Sequence, residues 1–216
     1  LTAHDGLVRA NHPVLLRALA GRFSASRLRR LSRDPLGFVW QYALGWKAPD
    51  EVEEPLALDP MAFGNLTHRV LELALASLEA NGGFAGTPTA GIEAAVAAAS
   101  REAAGEFELG LPVPPRLIWL RTLAEARTQA LRALGWKEPT LPGQASWGEV
   151  PFGGVDGETY PEGHWPWDIR SPVAIPGTTL TIGGVIDRLD LSGDRTLARV
   201  TDYKTGKVPK KEIQVN

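Results

Sequence analysis

The sequence predicts a mixed α+β protein in which helices come first and a hairpin-rich sheet follows. Two observations support this order. Before residue 140, apolar residues recur at helical spacing between proline and glycine breaks. After Pro142, apolar and polar residues alternate and turn residues are closely spaced. Because strands and helices do not alternate along the chain, a regular βαβ winding is not expected.

Six helices are predicted from apolar periodicity and from residues that cap or break helices. They are a brief helix closed by Gly21, a helix capped by Ser24 or Ser26, a helix from Pro35 to about Leu44, a helix of about 20 residues capped by Asp59, and helices around Ile92–Leu109 and Pro115–Leu134. Four arginines between residues 27 and 33 fit a solvated helix face or a phosphate-binding surface.

The strand predictions begin at SWGEVPFGG, which contains Glu149, and continue at Val173–Ile175 and Thr179–Ile182. A Gly-, Pro- and Trp-rich segment between them is predicted to be a surface loop. Trp165 and Trp167 in this segment either anchor the loop to the core or stack on nucleic-acid bases.

Composition excludes several classes of protein. The 216 residues fit one domain, or one domain with a helical appendage, and the net charge of −2 provides no overall attraction to nucleic acid. The absence of cysteine excludes a disulfide framework, a thiolate zinc site and a cysteine-ligated iron–sulfur cluster. With no long apolar run and no leader sequence, we expect an intracellular protein that is not associated with a membrane.

The stretch GGVIDRLDLSGDRTLARVTDYKTG carries the chemistry. If Ser192 to Thr196 form a turn, antiparallel pairing places Asp187 opposite Asp202 or within about two residues of it. Asp202 and Lys204 are two residues apart and so project from one face of a strand. Two carboxylates and an ammonium group would then meet at one point.

Such a group of residues fits metal-dependent phosphodiester hydrolysis. Mg²⁺ takes oxygen ligands, which Asp187, Asp202 and the backbone carbonyl of Tyr203 would supply, while Lys204 would orient or help to deprotonate the attacking water. The simpler interpretation is a solvated strand with a Lys–Asp pair, since D-x-K is common by chance. The second acid across the turn favours the catalytic interpretation.

GGVIDRLD followed by TDYKTG resembles the nuclease domain of RecB and AddB, within the PD-(D/E)xK superfamily. FGNLTHRVLE resembles the early helix of that family, whose histidine contributes to the metal site, and this points to His68. GEVPF resembles the segment whose acid lies beside the site, and this points to Glu149 as a supporting residue. The resemblance implies a restriction-endonuclease-like core sheet flanked by helices.

LTAHDG and SASRLRRLSRDPLGFVWQYALG resemble the segment that links the helicase-like part of AddB to its nuclease domain. We therefore expect an N-terminal helical linker over residues 1–47, an acidic proline-rich boundary from Ala48 to Pro60, and a nuclease domain over 48–216.

Many AddB-like nucleases bind a 4Fe–4S cluster through cysteines, one of them at the position of Asp34, so this chain resembles the cluster-free branch. The family continues past the lysine into a DNA-contacting helix that cannot be identified before Asn216, and Gln214 is a poor match to its glutamine. We therefore expect the domain to be C-terminally incomplete, and the start at Leu1 also suggests a fragment.

The resemblance implies a Mg²⁺- or Mn²⁺-dependent (exo)deoxyribonuclease. It also implies that the protein repairs double-strand breaks in the bacterial cytoplasm, in a complex with an AddA-like helicase–nuclease subunit. In that interpretation His68, Asp187, Asp202 and the Tyr203 carbonyl bind metal, Lys204 acts on the water, and Glu149 supports the site. Imidazole suits transition metals, which favours tolerance of Mn²⁺. The alternative is a catalytically inactive DNA-binding or scaffolding domain of the same fold. A carboxylate-pair glycosidase ranks last because it explains neither Lys204 nor His68.

Overall fold

The computed structural model of the chain describes residue 9 and residues 11–46, 56–136, 138–154 and 165–205. Within these residues the fold is mixed α+β, as predicted. The helices are α1 (Pro13–Ala20), α2 (Ala25–Arg33), α3 (Pro35–Phe38), α4 (Pro60–Ala80), α5 (Thr89–Gly110) and α6 (Arg116–Leu134). The strands are β1 (Ala145–Phe152), β2 (Val173–Ala174), β3 (Thr181–Ile182), β4 (Gly184–Leu191) and β5 (Ala198–Thr201). Most of the predicted acidic boundary, part of the predicted Trp-rich loop and any helix after Lys204 lie outside the described residues.

The predicted capping residues begin the helices. The Asp59 carboxylate accepts hydrogen bonds from the backbone N–H groups of Met61 (2.7 Å) and Ala62 (2.9 Å) at the start of α4. Pro35 occupies the first turn of α3, where its missing N–H group costs nothing. The sequence did not predict that α3 continues into a π-helical turn over Val39–Ala43. No described helix is both long and apolar enough to cross a membrane.

The chain forms two compact units, of which the first comprises Leu1–Glu51 and Pro151–Val185 and the second Val52–Val150 and Ile186–Asn216. In the second unit α4, α5 and α6 pack together around one apolar core. Alanines fill the tightest positions, since small side chains let helices approach closely. The fully buried members of this core are Leu66, Val70, Ala74, Val96, Ala103, Ala126 and Ala130. Outside the core, Arg69 of α4 donates two hydrogen bonds of 2.7 Å to Glu106 of α5.

The first unit has a small aromatic core of its own. The rings of Phe23 and Phe38 stack 5.9 Å apart, and Tyr42 lies 5.2 Å from Phe38. The Arg27 guanidinium lies over the rings of Phe23 and Tyr42, at 4.9 Å from each centroid. At least one of the four clustered arginines is therefore a packing residue and not part of a free phosphate-binding surface.

Gly153 also belongs to the first unit, and its position requires glycine. Its φ angle is 82°, in the left-handed region, and a Cβ there would collide with the carbonyl oxygen of Ile182. The backbones at Gly153 and Gly183 thus approach each other too closely for any side chain to fit between them.

The larger sheet has the strand order β1-β4-β5, with β5 at an edge. Strands β4 and β5 are antiparallel, and Arg188 pairs with Thr201 while Leu191 pairs with Ala198. The connecting turn over residues 192–197 is closed by a hydrogen bond from Ser192 N to Leu197 O (2.9 Å). The hairpin and the register of its paired residues agree with the sequence prediction, but the pairing ends at Arg188 and Thr201, one position before Asp187 and Asp202.

Candidate metal centre

Three side chains that could hold a metal ion come from three different elements of the second unit. His68 lies in the middle of α4, Glu149 on β1 and Asp187 on β4. One ligand atom from each lies within 4.8 Å of the corresponding atoms of the other two. An imidazole and two carboxylates are ligands that Mn²⁺ accepts, and the carboxylates suit Mg²⁺. The donor set therefore fits a divalent cation.

The backbone of β1 brings Glu149 to His68. A Cβ on Gly148 would lie only 3.2 Å from the Cα of Glu72, so glycine permits β1 to run close to α4. Glu149 itself has a φ angle of 48°, a left-handed conformation that costs an L-residue about 1–2 kcal/mol. Strained residues of this kind are concentrated at functional sites, because the surrounding structure must hold them in place.

The hydrogen bond between His68 and Glu149 orients the imidazole. His68 Nδ1 lies 2.9 Å from Glu149 Oε1, and an ionised carboxylate can only accept. Nδ1 must therefore carry the proton. In the neutral ring this leaves a lone pair on Nε2, which lies 3.8 Å from Asp187 Oδ2. A histidine whose second nitrogen donates to a carboxylate is the usual arrangement of a metal-binding histidine.

The pKa values of Asp187 and His68 are both raised. Burial raises the pKa of Asp187, and the negative charges of Glu149 and Asp202 add to this rise, while the Tyr203 N–H and His68 oppose it. The hydrogen bond from His68 to Glu149 raises the pKa of His68, against the opposing effect of burial. The carboxylates around His68 thus favour a positive charge on its ring, whereas burial is the main reason for the raised pKa of Asp187.

Tyr203 holds Asp187 through its backbone. Its N–H donates to Asp187 Oδ2 at 2.7 Å, which fixes one carboxylate oxygen. The Tyr203 backbone carbonyl is near enough to the His68 ring to raise the pKa of His68. The Tyr203 ring also meets the His68 ring edge-on, with centroids 6.2 Å apart. The carbonyl suggested by the sequence as a ligand thus lies beside the histidine.

Asp202 and Lys204 pair with each other at the edge of this group. Lys204 Nζ lies 2.6 Å from Asp202 Oδ1, and both side chains are more than 60% exposed. Asp202 is not in the group of mutually close ligand atoms, which among the described residues consists of His68, Glu149 and Asp187. The strand has already ended at Thr201, so regular pairing does not hold Asp202 against Asp187.

A cavity of about 460 Å³ opens onto His68, Glu149 and Lys204. Its walls come from α4, from Glu149 and from the residues after β5, and they include Asn65, His68, Arg69, Glu149 and Lys204. A volume of this size is within the range of sites that bind small ligands. The centre is therefore accessible from solvent through a concave surface with polar walls.

The family model of the PD-(D/E)XK nuclease superfamily matches residues 22–216. The chain belongs to this superfamily. The match spans α2 to the last residue and includes all six predicted site residues. Members of the PD-(D/E)XK superfamily are typically metal-dependent nucleases, which agrees with a group of residues able to bind a metal. No individual curated protein matches the chain.

Two neighbours of Asp187 on β4 form a buried ion pair and are not part of the group that could hold a metal ion. Arg188 is 4% exposed and Asp190 is fully buried. Arg188 donates two hydrogen bonds to Asp190, of 2.8 and 2.7 Å, and its guanidinium lies 4.6 Å from the centroid of Phe84. This paired geometry agrees with the packing or ion-pair role that the sequence suggests for Arg188 and Asp190.

The sequence did not reveal how Glu149 acts. It marked Glu149 only as a supporting acid, and the hydrogen bond to His68 joins residues 81 positions apart. The adjacent Gly148 is the one local sign, because glycine inside a strand pattern indicates a close backbone approach.

Of the two tryptophans considered for base stacking, Trp167 donates through Nε1 to the Pro151 carbonyl at 2.9 Å, which supports the anchoring role.

Proposed function

We propose that this chain is a metal-dependent deoxyribonuclease that hydrolyses phosphodiester bonds. The observation that carries the proposal is the convergence of His68, Glu149 and Asp187 beside Tyr203 and Lys204, in a chain of the PD-(D/E)XK nuclease superfamily. His68 Nε2, Asp187, Asp202 and the Tyr203 carbonyl would hold Mg²⁺ or Mn²⁺. When bound, such an ion neutralises phosphate charge and makes a water molecule more acidic.

Each protein group then has a distinct role. Glu149 keeps the proton on Nδ1 of His68 and so fixes the orientation of the imidazole ring. The Tyr203 N–H holds one oxygen of Asp187, which leaves the other free to act as a ligand. Lys204 is exposed beside Asp202, where its ammonium group can orient the attacking water and balance the charge that develops on the phosphate.

The finer proposal concerns the biological setting. The motifs GGVIDRLD and TDYKTG, in that order after THRVLE and GEVPF, support a nuclease domain of AddB type without an iron–sulfur cluster. Such a domain would process double-strand breaks in the bacterial cytoplasm together with an AddA-like subunit. Lys204 and the acids also favour an active enzyme over an inactive scaffold, since a scaffold needs none of them.

The test is cleavage of end-labelled linear DNA by the whole chain with Mg²⁺ or Mn²⁺, followed on a denaturing gel. Asp202→Ala and Lys204→Ala should each lower the rate more than about a hundredfold, because each removes a ligand or the group that acts on the water. Both side chains are exposed, so the folded state should survive, which circular dichroism would verify. Glu125→Ala on the exposed face of α6 is the matched control and should retain activity.

Undiminished cleavage by both Asp202→Ala and Lys204→Ala would refute the assignment of these residues. Cleavage by the wild type that persists after chelation of divalent ions would refute metal dependence.

A further inference from the structure

A second cavity, of about 440 Å³, adjoins the candidate metal centre on the side of α6. We call it the α6 cavity and define it by Gln129, Arg132 and Trp136 on one side and by Thr201, Tyr203 and Lys204 on the other. Tyr203 and Lys204 also line the cavity at the metal centre. The two cavities therefore meet at the lysine proposed to act on the attacking water.

The α6 cavity contains an exposed aromatic ring next to an unpaired cation. Trp136 is 74% exposed, although burying so large an apolar side chain would stabilise the fold. Arg132 lies one helical turn earlier and makes no side-chain hydrogen bond or ion pair within the part of the chain that the structure describes. Both side chains are exposed to solvent.

The other charged groups of the cavity are already paired. Arg188 is bound to Asp190 by two hydrogen bonds, and Glu138 accepts a hydrogen bond from Arg199. Lys204 pairs with Asp202, so among the described residues that line the α6 cavity Arg132 is the cation that remains available to an anionic ligand. An aromatic face beside a free arginine is the combination that binds single-stranded nucleic acid, because bases stack on the ring and phosphates pair with the guanidinium.

We propose that the α6 cavity binds one unpaired nucleotide of the DNA strand, adjacent to the bond that is hydrolysed. The base stacks on Trp136 and a phosphate contacts Arg132. Because Lys204 lines both cavities, the next part of the strand would lie at the metal centre. This inference rests on the proposed nuclease function. It also specifies single-stranded DNA as the substrate, since a paired base is stacked within its duplex and has no free face for Trp136.

The experiment measures binding apart from hydrolysis. Fluorescence anisotropy of a fluorescein-labelled oligothymidylate, recorded in a chelator so that no cleavage occurs, should show about tenfold weaker binding for Trp136→Ala. Trp136→Phe should retain most of the affinity because it keeps an aromatic face. Arg132→Ala should weaken binding and lower the slope of log K against log[salt] by about 0.7, the value for one phosphate contact on a single strand.

Two exposed residues elsewhere serve as matched controls. Trp46→Ala removes a tryptophan that is 66% exposed in the first unit, and Arg121→Ala removes an exposed arginine of α6 that does not line the cavity. Neither should change the affinity. If Trp136→Ala binds as tightly as Trp46→Ala, or if a blunt duplex competes as well as the single strand, the inference is wrong.

The two proposals fail in different ways. If the wild-type protein cleaves DNA while Trp136→Ala and Arg132→Ala bind DNA with unchanged affinity, the proposal for the α6 cavity is wrong and the proposed nuclease function stands. Absence of cleavage together with the expected losses of affinity would overturn the nuclease and support the α6 cavity as a nucleotide site.

Discussion

Asp187 and Arg188 are neighbours on β4, yet they belong to two clusters of charge with opposite properties. Arg188 and Asp190 are almost completely buried and are joined by two hydrogen bonds, with Glu138 and Arg199 beside them. Asp187 lies 3.8 Å from His68, which together with Glu149 lines a cavity open to solvent. Successive residues of a strand point to opposite faces, so one short motif supplies both clusters.

The difference concerns charge balance. The buried cluster contains two arginines and two acids, so its charges cancel within the protein. The open cluster contains two acids and one histidine, and burial, followed by the charges of Glu149 and Asp202, raises the pKa of Asp187. A buried pair contributes to the structure when every charge is matched, whereas an unmatched group is stabilised only by something that binds. We therefore propose that the open cluster is the site of chemistry.

The first prediction tests whether Asp187 is a metal ligand or a structural residue. Asp187→Asn should lower DNA cleavage more than about a thousandfold, because a metal contributes several kcal/mol to the transition state. Its melting temperature without metal at pH 7 to 8 should be no lower than that of the wild type. Since burial raises the pKa of Asp187, the ionised form weakens the folded state above that pKa, and asparagine can still accept from Tyr203 N.

Calorimetric titration with Mn²⁺ measures the expected loss of metal binding in Asp187→Asn, and thermal melting measures stability. A fall of several degrees in the melting temperature would show instead that Asp187 is a structural residue like Asp190.

The second prediction concerns the buried cluster. Asp190→Asn should lower the free energy of unfolding by about 3–5 kcal/mol, because it leaves Arg188 buried without its charged partner. Asp202→Asn is the matched control, since its ion pair with Lys204 is exposed and should contribute less than about 1 kcal/mol. Urea denaturation measures both, and equal stability in the two variants would remove the distinction between the clusters.

The parts of the fold that were predictable depend on local sequence. Asp59 caps α4 through bonds to residues two and three positions ahead, and the β4–β5 register follows from one short turn. These signals lie within a few residues of the structure they determine. Asp187 was identified in the same local way, from its place across the turn from Asp202, whereas His68 was identified because FGNLTHRVLE resembles a helix of the family.

The remaining features depend on contacts that no local pattern reveals. The left-handed conformation of Glu149 follows from the packing of β1 against α4 at Gly148. The burial of Arg188 requires Phe84 and Glu138, which are distant in the sequence. The position of Asp202 outside the close group of ligand atoms depends on where β5 ends, and helix and strand ends are the least predictable points of a fold.

The smallest expected effect comes from Glu149→Gln, which keeps an acceptor for Nδ1 but removes the charge. We expect cleavage to fall about 10–100-fold, the usual cost of losing the carboxylate behind a metal-binding histidine. In the metal-free protein the pKa of His68 should fall, because the hydrogen bond to Glu149 is the main cause of its rise. Nuclear magnetic resonance titration of the imidazole measures this shift.

The same substitution predicts how stability depends on pH. A histidine whose pKa is raised by folding contributes stability below its unfolded pKa of about 6.5, and this contribution disappears as the pH rises through the folded pKa. The melting temperature of Glu149→Gln should therefore lie below that of the wild type near pH 5.5 and approach it near pH 8.5. Glu125→Gln should show no such trend. A difference that does not change with pH would mean that Glu149 holds the backbone of β1 and not the charge of His68, and the open cluster would then resemble the buried one.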